Sequence, residues 1–300
     1  MTVEPLIAHL KTRAVIAVGG PEARSFLQGL LTQDVETLAP GELRFGALLT
    51  PQGRLLHDLF ILGRDDGVWL DVAAGQRGAL LQRLTMYRLR AKVELAAMDV
   101  GVFAAFPAPS SVIPEAAQRL SGTPEPRTPP LGPSATARQD GLAAGMTACC
   151  VDPRLLALGW RGYGAAEATT EEARYDAHCL SLGIPGPADW GTDKTYPIEA
   201  NFDLLNGIDF AKGCFVGQET TSRMKRRGII KNRMLAIIFE GSAPAPGTEV
   251  LAGSLRAGEV LSGGDGRAMA LVRLDRALGA ALTVDGRNAR VETPDWMPAT

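Results

Sequence analysis

The sequence predicts an α+β protein whose last 70 or so residues form a separate small β-barrel or sandwich. Apolar runs and amphipathic stretches alternate through the first half of the chain, which is typical of a sheet with a helix on one face. From residue 234 onward the pattern changes to short β runs separated by glycine turns. At 300 residues and 46% apolar content, the chain is long enough for two or three packed units.

The first predicted elements are a short strand and an amphipathic helix. Residues 15–18 form an apolar run that ends at the pair Gly19-Gly20. Pro21 suits the first position of a helix, and Glu22 follows near the positive end of the helix dipole. Apolar residues at helical spacing then form the stripe Ala23, Phe26, Leu27, Leu30 and Leu31.

A hairpin, a third strand, a helix and a further strand are predicted next. The turn at 51–53 joins the first two of these strands. His57 and Asp58 interrupt the second strand, and they lie either on a solvated edge or against a ligand cavity. In chain order the elements are strands at 45–49, 55–62 and 68–72, a helix at 80–87 and a strand at 92–95.

The middle of the chain is predicted to be a connecting segment. Residues 107–133 hold eight prolines, and only 115–120 has the pattern of a short helix. Ordered structure is expected to return at 155–160. Thr169 and Glu172 then have the spacing of a capping box at the start of a helix, which should end at Gly183.

The C-terminal β region carries two hairpin signals. Asp265-Gly266 and Asp285-Gly286 are dipeptides that favour two-residue turns. The second pair lies between the apolar runs 282–284 and 289–291. These signals support a β-barrel or sandwich that is separate from the preceding α+β region.

Composition disfavours several classes of protein. The net charge of −2 and the pI near 6 show that the overall charge does not favour binding to nucleic acid or to an acidic membrane. The four cysteines contain no C-x-x-C pair and the three histidines no H-x-x-x-H spacing, so a zinc site is not expected. Few, unpaired thiols fit a reducing compartment. The first ten residues lack the apolar core of a secretory signal, and a cytoplasmic protein is therefore expected.

The run 212–219 (Lys-Gly-Cys-Phe-Val-Gly-Gln-Glu) has the densest chemistry in the chain. Gly213 permits a tight turn before Cys214, while Phe215 is expected to pack inward. If the segment is extended, Lys212 lies on the same side as the thiol, and its ammonium favours the thiolate. The alternative is a glycine turn with a buried, structural cysteine.

A basic segment follows this run directly. One interpretation is a solvated helix face that ends at Gly228. The functional interpretation is a site for a polyanionic ligand, because adjacent cations focus the field. Nucleic acid is a weaker alternative, since no aromatic ring is interleaved for base stacking. The cations are Arg223, Lys225, Arg226, Arg227, Lys231 and Arg233.

Segment 196–203 (Tyr-Pro-Ile-Glu-Ala-Asn-Phe-Asp), followed by the run 212–219, resembles the YgfZ-type folate-binding proteins. These are paralogues of the glycine cleavage T-protein (aminomethyltransferase) and act in iron–sulfur cluster assembly or repair. The resemblance implies two intertwined α+β units in residues 1–230, one centred on about 45–100, a barrel in 231–300, and tetrahydrofolate in a central hole. Further matches are Phe26-Leu27-Gln28-Gly29, Thr32 with Asp34, Pro51-Gln52-Gly53-Arg54, Tyr87-Arg88-Leu89-Arg90 and Leu271-Val272-Arg273.

The resemblance assigns roles to individual residues. Glu199 and Asn201 match positions that face the folate hole, and their carboxylate and amide can pair with a pterin edge. Lys212 and Cys214 match the family signature as the chemically active pair. Gln218 belongs to the same signature, and Arg223 follows it, in a cluster that supplies countercharge to the folate glutamate tail.

One departure from the T-protein pattern bears on the reaction. The adjacent acidic residues of that pattern are reduced here to Asp58, which is expected to contact folate without being catalytic. We therefore expect a tetrahydrofolate-binding auxiliary protein for iron–sulfur client enzymes or their assembly proteins. The alternatives are a folate-dependent aminomethyltransferase and a polyanion- or nucleic-acid-binding module. The sequence leaves open whether Cys214 acts in redox chemistry, as an adduct or as a shared cluster ligand.

Overall fold

The structure is a computed structural model that describes residues 4–107, 145–228 and 230–298. Contacts divide the chain into two compact units, and the chain enters each unit three times. Unit 1 comprises Met1–Gly29, Gln33–Gly46 and Leu59–Tyr175, and unit 2 comprises Leu30–Thr32, Ala47–Asp58 and Asp176–Thr300.

The described residues fold into short α-helices and a larger number of β-strands. The helices are α1 (Ala23–Gln28), α2 (Arg77–Arg88), α3 (Glu172–Ser181), α4 (Pro187–Trp190), α5 (Gln218–Arg227) and α6 (Leu274–Ala277). The strands are β1 (Leu6–His9), β2 (Arg13–Gly19), β3 (Leu43–Leu49), β4 (Leu55–Arg64), β5 (Gly67–Ala73), β6 (Glu94–Met98), β7 (Gly101–Phe106), β8 (Met146–Val151), β9 (Trp160–Gly164), β10 (Asn232–Phe239), β11 (Glu249–Ala252), β12 (Leu255–Gly264), β13 (Arg267–Arg273), β14 (Leu282–Val284) and β15 (Arg287–Glu292).

Unit 1 contains a four-stranded sheet in the order β1-β7-β9-β8 and most of a five-stranded sheet in the order β3-β4-β5-β2-β6. The pairing of Val15 with Asp71 on one side and Met98 on the other places β2 between β5 and β6. β3 and β4 pass from one unit into the other within their own length. The α+β class predicted from the sequence is confirmed.

A charged cluster is buried in unit 1. The Asp71 carboxylate accepts from Arg13 Nε at 2.7 Å, Arg161 Nε at 2.6 Å and the Tyr163 hydroxyl at 3.1 Å. Burial acts to raise the pKa of Asp71, but the two guanidinium groups outweigh it and hold that pKa below its ordinary value. These partners compensate the buried carboxylate, so the loss of either arginine would leave a buried charge without full compensation.

The C-terminal part of unit 2 is a closed barrel in the order β10-β13-β12-β11-β14-β15. Its interior is filled by alternate side chains such as Leu235, Ile237 and Val272. Asp285 and Gly286 both have positive φ, 50° and 73°, as a two-residue turn with the right-handed strand twist requires. The predicted β-barrel and both predicted hairpins are confirmed.

Several predicted boundaries are wrong because tertiary contacts override local pattern. α1 begins at Ala23 and ends at Gln28, so Leu31 lies beyond it and bridges to Leu48. The strand expected at 92–95 is β6, two residues later. β8 precedes the predicted return of ordered structure. The helix at 115–120 and nearly all of the proline-rich segment lie outside the described residues.

The predicted capping box of α3 is also wrong. The Thr169 hydroxyl accepts from Ile7 N at 2.9 Å, and the Glu172 carboxylate accepts from Thr12 N at 3.2 Å. The two side chains therefore bond to β1 and to the turn that follows it, instead of to the helix terminus. Among the described helices, none is long and apolar enough to cross a membrane.

Candidate functional site

Two turns of unit 2 pack backbone to backbone and position the N-terminus of α5. Gly53 and Gly217 have φ values of 84° and 80°, which disfavour any residue with a side chain. A Cβ atom on Gly217 would lie 2.5 Å from the Thr50 carbonyl oxygen, and one on Gly53 would lie 2.9 Å from the Gly217 oxygen. This contact therefore requires glycine at position 217, the second glycine of the cysteine motif (the run 212–219).

The loop that leads to Cys214 is anchored by Thr32, which is fully buried. The Thr32 hydroxyl donates to the Gly207 carbonyl at 2.7 Å and accepts from Ala47 N at 2.8 Å. Its own carbonyl accepts from Asp209 N at 2.9 Å. The sequence pattern gives Thr32 no role, because its partners lie 15 and 175 residues away.

Lys212 is tied to the backbone of the same unit. Its ammonium donates to the Leu31 carbonyl oxygen at 2.6 Å and lies 5.3 Å from the centre of the Phe215 ring. Phe215 is buried, as predicted. These contacts give Lys212 a role in holding the loop, and activation of the thiol by its charge stays a prediction.

Cys214 is exposed, whereas Cys149, Cys150 and Cys179 are partly buried. Burial raises the pKa of Cys149, and burial together with Cys149 raises the pKa of Cys150 to about 12. Both of these thiols therefore stay protonated at neutral pH. The alternative of a buried, structural cysteine at position 214 is wrong.

α5 lies directly after this thiol and presents a basic surface. Its last residue is Arg227 and its C-cap is Gly228, whose φ is 65°, so the predicted helix and its end are confirmed. Arg223 and Lys225 are exposed, and Lys225 Nζ lies 5.2 Å from the centre of the half-exposed Phe210 ring. An open groove of about 580 Å³ lies beside this helix, and it is lined by Pro51, Phe215, Gly217, Gln218, Glu219, Ser222 and Arg226.

Segment 196–203 is bonded to the first strand of the barrel. Arg233 donates to Asn201 Oδ1 and to both oxygens of Asp203, each at 2.9 Å, and also to the Ile198 carbonyl. The Asn201 amide nitrogen donates to the Met234 carbonyl at 2.7 Å. Arg233 is therefore a buried structural residue, and its inclusion in a basic ligand site is wrong.

Glu199 differs from Asn201 in its exposure. Its carboxylate accepts from Tyr196 N and from the Asn232 amide, both at 3.1 Å, and its side chain is only partly buried. A carboxylate has about four lone-pair sites, so Glu199 keeps capacity for a ligand. Asn201 is fully buried, and both ends of its amide are bonded within the protein.

His57 and Asp58 are both buried on β4, which lies between β3 and β5. The interpretation of a solvated edge is therefore wrong for this pair. Contact of Asp58 with folate stays a prediction. Within the described residues, no group of three or more His, Cys, Asp or Glu side chains is arranged to hold a metal ion.

Comparisons with known proteins agree with this architecture. The family described as CAF17, C-terminal beta-barrel domain, matches residues 231–299. The structure is similar to glycine cleavage system aminomethyltransferase T from Bartonella henselae, with a TM-score of 0.71 and 18% identity over 98% of this chain and 87% of that one. At this identity the likeness shows the fold.

The chain is also similar to curated proteins named iron-sulfur cluster assembly factor IBA57, mitochondrial, or its homologues. The Neurospora crassa protein is 32% identical over 79% of this chain and 55% of its own length. The human protein is 28% identical over 97% of this chain and 85% of its own length. The chain thus spans about half the length of the fungal relative.

The names of these relatives describe mitochondrial proteins. They contradict the cytoplasmic location expected from the sequence, and that expectation is wrong.

Proposed function

We propose that this protein acts in the assembly of iron–sulfur clusters and that Cys214 supplies a thiolate to iron. The observation that carries the proposal is the exposure of Cys214 on a loop that buried contacts hold in place. Similarity to proteins named iron-sulfur cluster assembly factors supports a role for this thiol with iron–sulfur clusters. We also propose that the protein binds a partner, which is another assembly protein or a client enzyme.

The chemistry of cluster binding fits a thiol that is shared with another molecule. A cluster usually takes four protein ligands, and a thiol must lose its proton to bind iron. Cys214 offers one such ligand, and the other three would come from the molecule that carries the cluster. A thiolate-bound cluster is anionic, so exposed cations on α5 such as Arg226 supply favourable charge near it.

Complementation tests this proposal. Cells that lack their own IBA57 relative would receive this chain with a mitochondrial leader, as wild type, Cys214→Ser or Cys149→Ser. Wild type and Cys149→Ser should restore the activity of iron–sulfur enzymes, and Cys214→Ser should not. Protein levels and an enzyme without a cluster serve as controls. Full restoration by Cys214→Ser at normal protein levels would sink the proposed role of the thiol.

We further propose that the protein binds tetrahydrofolate, with Glu199, Gln218 and Arg223 among its contacts. The support is the sequence resemblance together with the partly exposed Glu199 carboxylate and the position of Gln218 on the open groove. Asn201 is left out of these contacts, because its side chain is fully buried and both its amide nitrogen and its amide oxygen are hydrogen-bonded within the protein. Titration of tetrahydrofolate into the purified chain tests the proposal, and absence of saturable binding at millimolar ligand would overturn it.

A further inference from the structure

The turn after α2 holds a leucine in an unfavourable state. Leu89 has φ 45° and ψ −107°, a region that residues with a side chain rarely adopt. Such a conformation is strained, and glycine or asparagine is usual where a helix ends with positive φ. Leu89 is nevertheless 87% exposed, so its side chain gains little packing inside the protein. Both features disfavour leucine in the free protein.

A second apolar side chain lies one helical turn earlier. Met86 is 59% exposed, and Met86 and Leu89 are the two most exposed large apolar residues in the described part of the chain. Met86 lies in the last turn of α2, and Leu89 directly follows Arg88, the last residue of that helix. Single exposed apolar residues need no explanation, but an exposed pair beside a strained backbone position is grounds for inferring a contact surface.

Cations outnumber carboxylates around this pair, although the Glu22 carboxylate accepts from Lys92 N at 3.2 Å. Residues 83–94 contain four cations and one carboxylate, in a chain whose formal net charge is −2. Arg90 and Lys92 are exposed beside Leu89. Arg88 Nη1 donates to the Val93 carbonyl oxygen at 3.4 Å, so this side chain braces the turn. The surface complements an acidic segment that carries an apolar side chain.

The chain runs from this turn into β6, which among the described strands is the last of its sheet on that side. β6 pairs with β2 along one side, and its residues Glu94, Ala96 and Ala97 are exposed. An edge strand offers backbone donors and acceptors that an extended protein segment can pair with. A lipid surface cannot form that ladder, so the edge favours a protein occupant.

We propose that residues 86–92 form a docking surface for an acidic protein segment whose apolar side chain packs on Met86 and Leu89. The surface belongs to unit 1, whereas Cys214 belongs to unit 2. The proposal therefore goes beyond the cluster chemistry of the thiol and does not depend on it. The segment Tyr87-Arg88-Leu89-Arg90, which the proposed cluster chemistry does not use, receives a role in this way.

The test uses the full chain and a display library of extended peptides rich in Asp, Glu, Leu and Phe. Binding of the selected peptides is measured by fluorescence anisotropy. Leu89→Gly should weaken it at least about tenfold, whereas it should keep or raise the melting temperature, because glycine tolerates this backbone. Met86→Ser should weaken binding less. Leu255→Ser is the matched control, since Leu255 is 57% exposed on the barrel.

Electrostatics and lipid supply the remaining arms of the test. Binding should weaken when salt rises from 50 to 300 mM, because the Debye length falls roughly 2.4-fold. Peptides with Lys in place of the acids should not bind. A library without Leu89-dependent binders, or equal losses for the Leu89 and Leu255 variants, would overturn the proposal. A third outcome would also overturn it: Leu89→Gly weakens binding to vesicles of anionic phospholipid but leaves peptide binding unchanged. The occupant would then be a membrane surface.

Discussion

Segments 196–203 and 210–227 are close in sequence and rich in polar residues, yet they differ in how far their polar side chains are exposed to solvent. In the first segment, Asn201 and Asp203 are bonded to Arg233 and withdrawn from solvent. In the second, Cys214 and the cations of α5 are exposed on a backbone that buried contacts fix. Polar density alone therefore did not separate a structural network from a surface that is open to a partner.

The largest effect is expected at the buried ion pair. Arg233→Ala leaves the Asp203 carboxylate buried without its partner, which should lower the free energy of unfolding by about 3–5 kcal/mol. Arg223→Ala, on exposed α5, should change it by less than about 0.5 kcal/mol. Urea unfolding of both variants measures the difference. Similar losses would mean that the two segments are equally structural.

A smaller effect is expected from the two glycines of the cysteine motif. Gly217→Ala combines a positive φ with a Cβ atom 2.5 Å from the Thr50 oxygen, and should cost about 2–4 kcal/mol. Gly213→Ala should cost under about 0.5 kcal/mol, because among the described residues no atom outside its chain neighbours lies within 4 Å of the added Cβ. Thermal unfolding compares them. A tolerated Gly217→Ala would show that the turn contact does not position α5.

The smallest effect concerns Glu199, which is hydrogen-bonded within the protein and yet partly exposed to solvent. If its partly exposed carboxylate binds tetrahydrofolate, Glu199→Ala should weaken that binding by about 1.5–3 kcal/mol, as for a hydrogen bond to a charged group. Titration of wild type and variant measures it, with unfolding curves as the control for stability. Unchanged affinity would assign Glu199 wholly to the structural network with Asn232.

Local pattern was sufficient for part of the fold. Apolar runs predicted strands β2 to β6 but not the sheet β1-β7-β9-β8. Asp265-Gly266 and Asp285-Gly286 predicted barrel hairpins that the structure contains. These succeeded because turn geometry and burial depend on neighbouring residues. The predicted capping box failed for the opposite reason, since Thr169 and Glu172 bond to residues about 160 positions away.

The sequence by itself determined the α+β class, the barrel, the basic helix and the density of chemistry around Cys214, because each depends on periodicity or on residue types within a few positions. Only the tertiary structure decided that Cys214 is exposed, that Asn201 and Arg233 are internal, and that Thr32 holds the loop. Burial and hydrogen bonding join residues from separate parts of the chain. A polar residue therefore becomes a structural partner or an accessible group only when the fold brings its partners to it.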